Sequence, residues 1–440
     1  MFSQISKVCL FLFLSSASAW AQTQPEPQPP KTLLEAIAVS IKYNQRTVST
    51  NEFLDSVRLA TKAFKASQRP SGFISCGSQF SWNQSSLNSA DSISSRNQSQ
   101  SCGISASYNL FDGGALKSRI QAAIAAEEAL IAQFNTSDSR IDNTKGGLAD
   151  STKSSYLSLV QMRERILFFE KLLRSAATFK KISQDNTLIQ YINNLEVGLV
   201  ELNNAYKSFS RNFAFFVTVA PSENIEGLES AILSLDIPAD VNDAIAIAIN
   251  DGPEVKRSSL NLRVAELSLK AKKADQGPRV TFNTYVDYGR FQSRVDETFR
   301  TKSQSAGFGF TVTVPLDPSA KYRIQSAEKE VASNRARRQA DIETAIHNLS
   351  QTYISIQDES EVYITQTQNF KNQDQFVDNL VAQVNSGEIK NYDILKLIAE
   401  LNTLTSRFEN RLSTQGTLLN LRFSVLQVTG ELFKLDEINF

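Results

Sequence analysis

Four segments of the chain alternate apolar and polar residues with a period of two. In Ile74–Asn83, the even positions are Ile, Cys, Ser, Phe and Trp, whereas every odd position is polar or glycine. Ser101–Leu110 alternates in the same way after a loop rich in Ser, Asn and Asp. The same pattern returns later in the chain, in Val280–Gly289 and Gly307–Val314. Because successive side chains of a strand point to opposite faces, the pattern predicts β-hairpins at 72–111 and 279–316.

The polar faces of these strands are made of small and hydroxyl residues with almost no charge. Such a face suits the water-filled lining of a tube, and a strand of about ten residues spans a bilayer when it is tilted. Four strands cannot close a bacterial barrel, and open sheet edges are not tolerated in lipid. The pattern therefore predicts outer-membrane strands that join those of further copies, about eight in a dimer or about twelve in a trimer. A soluble antiparallel sheet packed on one face is the alternative.

Long stretches rich in Ala, Leu, Glu, Lys and Gln show helical spacing of apolar residues. They predict long helices at 113–185 and 318–386, each followed by a return helix. Helices of about 70 residues, roughly 100 Å long, exceed those of ordinary globular domains and are typical of coiled-coil columns. Gly146-Gly147 lies inside the first stretch, where each glycine costs about 1 kcal/mol relative to alanine. A one-heptad insertion and a local break both remain open there.

The second half of the chain repeats the order of elements in the first half. The strand starts Gln68-Arg69-Pro70 and Gln276-Gly277-Pro278 correspond, and the same helices and hairpin surround each of them. A large internal duplication explains this order better than chance does. The predicted repeats are 32–220 and 241–436, joined by a linker or equatorial segment at 221–240.

Each repeat passes from its last strand into its long helix at a sharp corner. Asp112-Gly113-Gly114 forms the first corner and Asp317-Pro318 forms the second. Aspartate is a favoured N-cap, glycine permits unusual backbone angles, and proline fits the first turn of a helix. These residues are therefore predicted to lead the chain from a membrane barrel into a helical tube.

The N-terminal segment has the order of a secretory signal peptide. Lys7 precedes the apolar run Val8–Leu14, and Ala19-Trp20-Ala21 follows as a small-residue cleavage motif. Residues 1–21 are therefore predicted to be removed, and residues 22–31 to form a disordered leader. No later stretch is long and apolar enough for a transmembrane helix, so any membrane span is expected to consist of strands.

Export places the two cysteines of the mature chain in an oxidising compartment. Cys76 and Cys102 fall on the same face of adjacent strands, about equally far from the loop between them. A cross-hairpin disulfide is therefore predicted, and two unpaired buried thiols are the alternative. The bond would stabilise the fold by roughly 3 kcal/mol because it shortens the unfolded loop.

Charge and candidate chemistry add little. The chain has 46 basic and 46 acidic residues, so its net charge gives no support to a nucleic-acid partner. The single histidine, His347, lies in a long helical stretch, where a structural or exposed position is favoured over a catalytic one. Metal-ligand spacing, a phosphate loop and a nucleophile elbow are all missing from the sequence. The sequence therefore predicts neither an enzyme nor a cofactor or metal site.

The sequence resembles the outer-membrane channel-tunnel family typified by TolC. The resemblance rests on the LFDGG corner at Leu110–Gly114, on the paired strand starts and on the duplicated plan. It also rests on Gly387–Leu395, which is similar to the Gly-x-hydrophobic-Ser/Thr-x-x-Asp-hydrophobic-Leu turn of that family. The resemblance covers essentially the whole mature chain.

The resemblance implies a mainly helical fold with β-structure, in which a homotrimer forms a barrel of about twelve strands above a long helical tunnel. It places the protein in the outer membrane of a Gram-negative bacterium, in contact with lipid. The implied role is a passive exit duct for tripartite efflux or type I protein secretion. Its partners would be a periplasmic adaptor, or membrane fusion protein, and an inner-membrane transporter of the ABC or RND type. A secreted coiled-coil scaffold or adhesin without a pore is the alternative function.

The turn at the implied periplasmic entrance holds the predicted gate residues. They are Asp393, Lys396 and Gly387 in the second repeat, and Asn193 as the counterpart of Asp393 in the first. Lys396 stands where the best-known family members have a second aspartate. A ring of Asp393 beside a ring of Lys396 would be locally balanced in charge, so the entrance is expected to close by packing rather than as a cation-binding acidic ring.

Overall fold

The computed structural model describes residues 27–87, 91–136, 144–183, 185–294, 298–389 and 392–437. The predicted signal peptide and the leader up to residue 26 lie outside these residues. The first repeat consists of α1 (Leu33–Tyr43), α2 (Gln45–Ala66), β1 (Ser71–Leu87), β2 (Asp91–Phe111), α3 (Ala115–Phe134), α4 (Lys145–Phe179) and α5 (Asn186–Val217). The second part consists of α6 (Leu228–Ser234), α7 (Val241–Asp251), α8 (Pro253–Ala274), β3 (Arg279–Arg294), β4 (Thr298–Thr313), α9 (Ala320–Asn385), α10 (Ile394–Thr429) and a final 3-10 helix (Glu431–Glu437).

The four strands form one antiparallel sheet in the order β1–β2–β3–β4. The two predicted hairpins therefore pair with each other through β2 and β3. The strands contain 17, 21, 16 and 16 residues, so the predicted length of about ten was too short. The backbone hydrogen bonds between strands continue into the polar hairpin ends, where apolar and polar residues no longer alternate. They can do so because backbone N–H and C=O groups pair regardless of the side chains beside them. The pairing of β2 with β3 is irregular only between Asn109 and Phe111, beside the first corner.

The sheet has an apolar face and a polar face. Ile74, Ile104, Val286 and Ala306 form one row across the apolar face. Ile74 is 74% exposed and Val286 is 58% exposed, so no other part of the described chain covers this face. The next row, on the opposite face, is Ser75, Gly103, Asp287 and Ser305. The predicted alternation thus holds across all four strands.

The stretch 113–185 is not one helix, because α3 ends at Phe134 and α4 begins at Lys145. Of the two alternatives that the sequence left open, the structure has the break. Ser, Thr, Asn and Asp dominate the sequence between them, and these residues favour caps over helix interiors. The Thr144 hydroxyl accepts a hydrogen bond from the Gly147 N–H at 3.0 Å and so caps α4. A Cβ at Gly147 would lie 2.9 Å from that hydroxyl, so glycine leaves room for the cap. In the second repeat, α9 is continuous over 66 residues, or about 100 Å.

The helices divide into two zones below the sheet. Near the sheet, α3 packs along α8, α8 along α9, and α2 along α3. Further away, α1, α4, α5, α6 and α10 surround the main hydrophobic core together with the end of α9. Phe168 and Phe408 stack in this core with ring centroids 4.0 Å apart. Among the described residues, none of the helices combines the length and hydropathy needed to cross a bilayer.

Two tyrosines tie the linker at 221–240 to the long helices of both repeats. The Tyr156 hydroxyl of α4 donates to the Glu226 carbonyl at 3.2 Å. The Tyr353 hydroxyl of α9 donates to the Pro238 carbonyl at 2.6 Å. Burial raises the pKa of both phenols, which keeps them protonated as hydrogen-bond donors. Corresponding positions in the two repeats thus make the same kind of contact to the segment that joins them.

Candidate functional site

The turn after α9 is the predicted entrance turn of the second repeat. Gly387 has a φ of 76°, in the left-handed region that other residues rarely adopt. Beyond it, the N–H groups of Glu388 and Ile389 reach back to the Gln383 carbonyl at 3.1 and 3.2 Å. These contacts satisfy the free carbonyl at the helix end, as in glycine-terminated helices generally. Gly387 therefore ends α9 and turns the chain towards α10.

Asp393 begins the return helix α10. Its carboxylate accepts hydrogen bonds from the N–H groups of Leu395 at 3.0 Å and Lys396 at 3.3 Å. These N–H groups lack partners within the helix, so the carboxylate caps it. The Lys396 side chain is exposed beside this cap. The structure thus brings two of the predicted gate residues together, with Asp393 already engaged as a cap.

Asp185, rather than Asn193, is the structural counterpart of Asp393 in the first repeat. Asp185 precedes α5 and accepts a hydrogen bond from the Thr187 N–H at 2.6 Å. Asn193 lies inside α5 with its side chain exposed, so it does not cap the return helix as Asp393 does. Hydrogen bonding from Thr187 lowers the pKa of the Asp185 carboxyl below its ordinary value. The signal in the sequence was the Asp-Asn-Thr cap pattern immediately before the apolar residues of α5.

Ionic contacts near the turns join the first repeat to the second. Lys171 Nζ of α4 lies 2.5 Å from Asp374 Oδ1 and 3.0 Å from Asp378 Oδ2 of α9. Partial burial alone would lower the pKa of Lys171, but the hydrogen bonds and charges of the two carboxylates outweigh it and raise the pKa. Six residues earlier on α4, Arg165 donates hydrogen bonds to both carboxylate oxygens of Glu409 of α10, at 2.9 and 2.8 Å. We call the three residues Lys171, Asp374 and Asp378 the inter-repeat clasp.

Both strand-to-helix corners are closed by an aspartate, as predicted from the sequence. Asp112 accepts from the N–H groups of Gly114 at 2.9 Å and Leu116 at 2.8 Å. Gly113 and Gly114 have φ angles of 65° and 85°, so this corner requires glycine.

In the second corner, Asp317 accepts from the Ser319 N–H at 2.8 Å, and Pro318 lies between them. Its carboxylate also pairs with Arg323 in the first turn of α9. The two corners thus use the same aspartate contact with different backbone angles.

Cys76 and Cys102 lie directly opposite each other in the first hairpin, with their Cα atoms 4.1 Å apart. The structure joins them by a disulfide that closes a sequence separation of 26 residues. The bond lies on the apolar face of the sheet, one position beyond Ile74 and Ile104 on that face. It therefore fixes the register of β1 and β2.

The described residues contain no group of three or more His, Cys, Asp or Glu side chains that could hold a metal ion. His347 is exposed on α9. A cavity of about 660 Å³ adjoins the linker and is lined in part by Asp236, Tyr353 and Arg422. Its lining includes neither histidine nor cysteine.

Comparison with protein families matches residues 244–420 to the outer membrane efflux protein family. No curated protein sequence matches the chain. The structure is similar to that of the outer membrane protein VceC from Vibrio cholerae, with a TM-score of 0.67 and 13% identity over 92% of this chain and 99% of that chain. It is also similar to the MtrE outer membrane channel from Neisseria gonorrhoeae in its open state, with a TM-score of 0.66 and 13% identity over 91% and 89% of the two chains.

A third similar structure is the CmeC outer membrane channel from Campylobacter jejuni, with a TM-score of 0.62 and 12% identity over 96% of this chain and 90% of that chain. The matched family and these folds are those of channels rather than enzymes. The similarity in structure extends over both repeats, whereas the family match lies in the second. Residues 244–420 therefore match the outer membrane efflux protein family, and the described chain has the fold of TolC-like outer-membrane channels.

Proposed function

We propose that the protein is the outer-membrane exit duct of a tripartite efflux system in a Gram-negative bacterium. In this proposal, three copies form a passive channel that receives substrates from a periplasmic adaptor and an inner-membrane transporter. The observation that supports it most strongly is a sheet with two unpaired edges and one exposed apolar face. A secreted coiled-coil scaffold does not require a sheet with unpaired edges and an exposed apolar face.

The unpaired edges belong to β1 and β4, which pair only with β2 and β3 in the described chain. An open edge presents a row of free N–H and C=O groups, and lipid does not tolerate it. The edge strands contain 17 and 16 residues, so β4 of one copy matches β1 of the next in length. Three copies joined in this way close a barrel of about twelve strands.

The apolar face has the dimensions of a membrane band. On β3 the band runs from Val280 to Tyr288, eight residue steps or roughly 26 Å along the strand. Because barrel strands are tilted by about 40°, this run covers roughly 20 Å of height, which is most of the apolar band of about 25 Å found in outer-membrane barrels. On the hairpin side, the last apolar residue of the band is Trp82 on β1, Tyr288 on β3 and Ala306 on β4. From β1 to β4 this end of the band therefore lies progressively further from the hairpin turns, as expected for tilted strands. Aromatic residues at such limits are typical of the membrane interface.

The opposite face suits the lining of a water-filled pore. Its rows consist of residues such as Ser75, Gly77, Ser101 and Ser305, which are small and need no apolar surroundings. On β3, Asp287 is the one carboxylate of this face among the described residues 281–293. This face would leave a wide aqueous path through the barrel.

We place the periplasmic entrance at the turns between the long helices and their return helices. Gly387, Asp393 and Lys396 belong to this entrance in the second repeat, and Asp185 takes the place first given to Asn193. Opening is expected to depend on Asp393 and Lys396. Planar-bilayer conductance that is unchanged in Asp393→Ala and Lys396→Ala would reject that role.

Efflux and type I protein secretion would use the same duct, so the geometry of the duct does not separate them. The description of the matched family as efflux proteins supports efflux. Membrane extraction tests the duct itself. The protein should stay in the membrane pellet during carbonate or urea washes, require detergent for release, and then migrate as a heat-resistant oligomer. A deletion strain should become more sensitive to small toxic compounds, and the wild-type gene should restore resistance. Release by carbonate alone would contradict the proposal.

A further inference from the structure

The apolar face of the sheet becomes cationic immediately beyond the apolar band. Arg290 is the next residue of β3 on this face after Tyr288, and Lys302 of β4 lies directly opposite it. Arg300 lies on the same face of β4, two residues nearer to the hairpin turn than Lys302, and is diagonal to Arg290. All three cationic side chains are exposed. We call Arg290, Arg300 and Lys302 the cationic cluster.

The cationic cluster has no counter-charge within the described chain. Like charges directly opposite each other destabilise a sheet, so an anion close to Arg290 and Lys302 would stabilise the pair. No described carboxylate forms an ion pair with any residue of the cluster. The surrounding positions on the same face are amides, namely Gln98, Gln100, Gln292 and Gln304. Asp287, three residues before Arg290, lies on the opposite face of the sheet, and Asp296 and Glu297 lie outside the described residues.

Arginines at the other end of the sheet have protein partners. Arg279 lies 2.7 Å from Asp275, and Arg119 of α3 pairs with the same carboxylate. Arg323 pairs with Asp317 at the second corner. The cationic cluster lies instead at the hairpin end of the band, and no described carboxylate lies beside it on the same face.

We propose that the cationic cluster binds the phosphate groups of an anionic lipid in the outer leaflet of the membrane. This inference rests on the proposed function, because it takes the apolar band as lipid-facing and the hairpin ends as extracellular. Arg290 lies two residues, or roughly 6 Å along the strand, beyond the last apolar position of β3, which is headgroup level. Arginine forks match phosphate oxygens, and the flanking amides add further donors.

The trimer purified in a neutral detergent provides the test, with diphosphorylated lipid A as the probe and native mass spectrometry as the measurement of binding. The test variant is Arg290→Gln/Arg300→Gln/Lys302→Gln. The matched control is Lys329→Gln/Arg337→Gln/Lys371→Gln, which removes the same charge from exposed positions of α9. A cation close to an anionic surface changes affinity roughly fivefold, so loss of three cations should weaken binding of the probe about 125-fold.

The control variant should bind like the wild type, and removal of the phosphates from lipid A should reduce wild-type binding to the level of the test variant. Phosphatidylcholine should not distinguish the three proteins. Equal binding of lipid A by the wild type and a trimeric test variant would overturn the inference while leaving the channel intact. An equal loss in the control would also overturn it, because net charge would then explain the effect. A wild type that is a detergent-independent monomer would instead refute the proposed function.

Discussion

Replacing Lys171 with glutamine should loosen the entrance, because it removes the centre of the inter-repeat clasp. Lys171 lies eight residues before the end of α4, and Asp378 lies seven residues before the end of α9. At 1.5 Å per residue, the clasp is roughly 12 Å from the turns. It joins helices of different repeats, so separation of the two turns requires that it stretch or break.

The magnitude follows from the exposure of the clasp. The side chains of Lys171, Asp374 and Asp378 are 35%, 26% and 53% exposed, so solvent screens both pairs. Pairs of this kind contribute about 0.5 kcal/mol each, and two give about 1 kcal/mol, or a factor of about five in an equilibrium. The raised lysine pKa means that the contribution is fully present below the ordinary lysine pKa and is lost as pH rises through the raised value. Neutral pH therefore leaves the clasp intact, whereas high salt weakens it.

Single-channel recording in planar bilayers measures the effect. Lys171→Gln should raise the open probability about fivefold at low salt and less at high salt. Arg174→Gln is the matched control, since it removes the same charge from an exposed position one turn away on α4. Equal open probability in the wild type and Lys171→Gln at low salt would refute the reasoning, and so would an equal rise in the control.

Other predictions concern the hairpin, the helix caps and the first corner. Unfolded, unreduced protein should contain no free thiol at Cys76 or Cys102, and reduction should destabilise the hairpin by roughly 3 kcal/mol, seen as dissociation of the oligomer at lower temperature. Asp185→Ala should lower the melting temperature of the trimer, whereas Asn193→Ala should not; equal effects would reject the assignment of the cap. The contribution of Asp185 should disappear only as pH falls through its lowered pKa. Asp112→Ala should reduce the yield of folded trimer, and normal yield would show that the glycines suffice.

The sequence predicted the features that depend on local pattern. The two faces of the strands, the aspartate corners and the glycine turn after α9 are each determined within a few residues, by alternation, by cap chemistry or by a left-handed backbone angle. The paired cysteines followed from the same alternation, because opposite positions of a hairpin share a face.

Features that depend on distant residues were not predicted. The inter-repeat clasp joins residues 203 and 207 positions apart, and no local pattern indicates which lysine meets which carboxylate. The break before α4 was left open because a heptad insertion and a loop have similar sequence signals. Asn193 was chosen by matching residues 191–195 with residues 391–395, but the helix starts earlier in the first repeat, at the cap of Asp185. The start of α5 is thus determined by a few local cap contacts and not by the correspondence between the two repeats.

The mass of the detergent-solubilised complex tests the central inference most directly, namely that a four-stranded sheet with two open edges must be completed by other copies. Native mass spectrometry of the protein extracted from outer membranes should give a complex of three chains, with no monomer that is stable in detergent-free buffer. Cysteines introduced at the exposed edges of β1 and β4 should form disulfides between chains and not within them. A stable, water-soluble monomer with no affinity for detergent would contradict the inference.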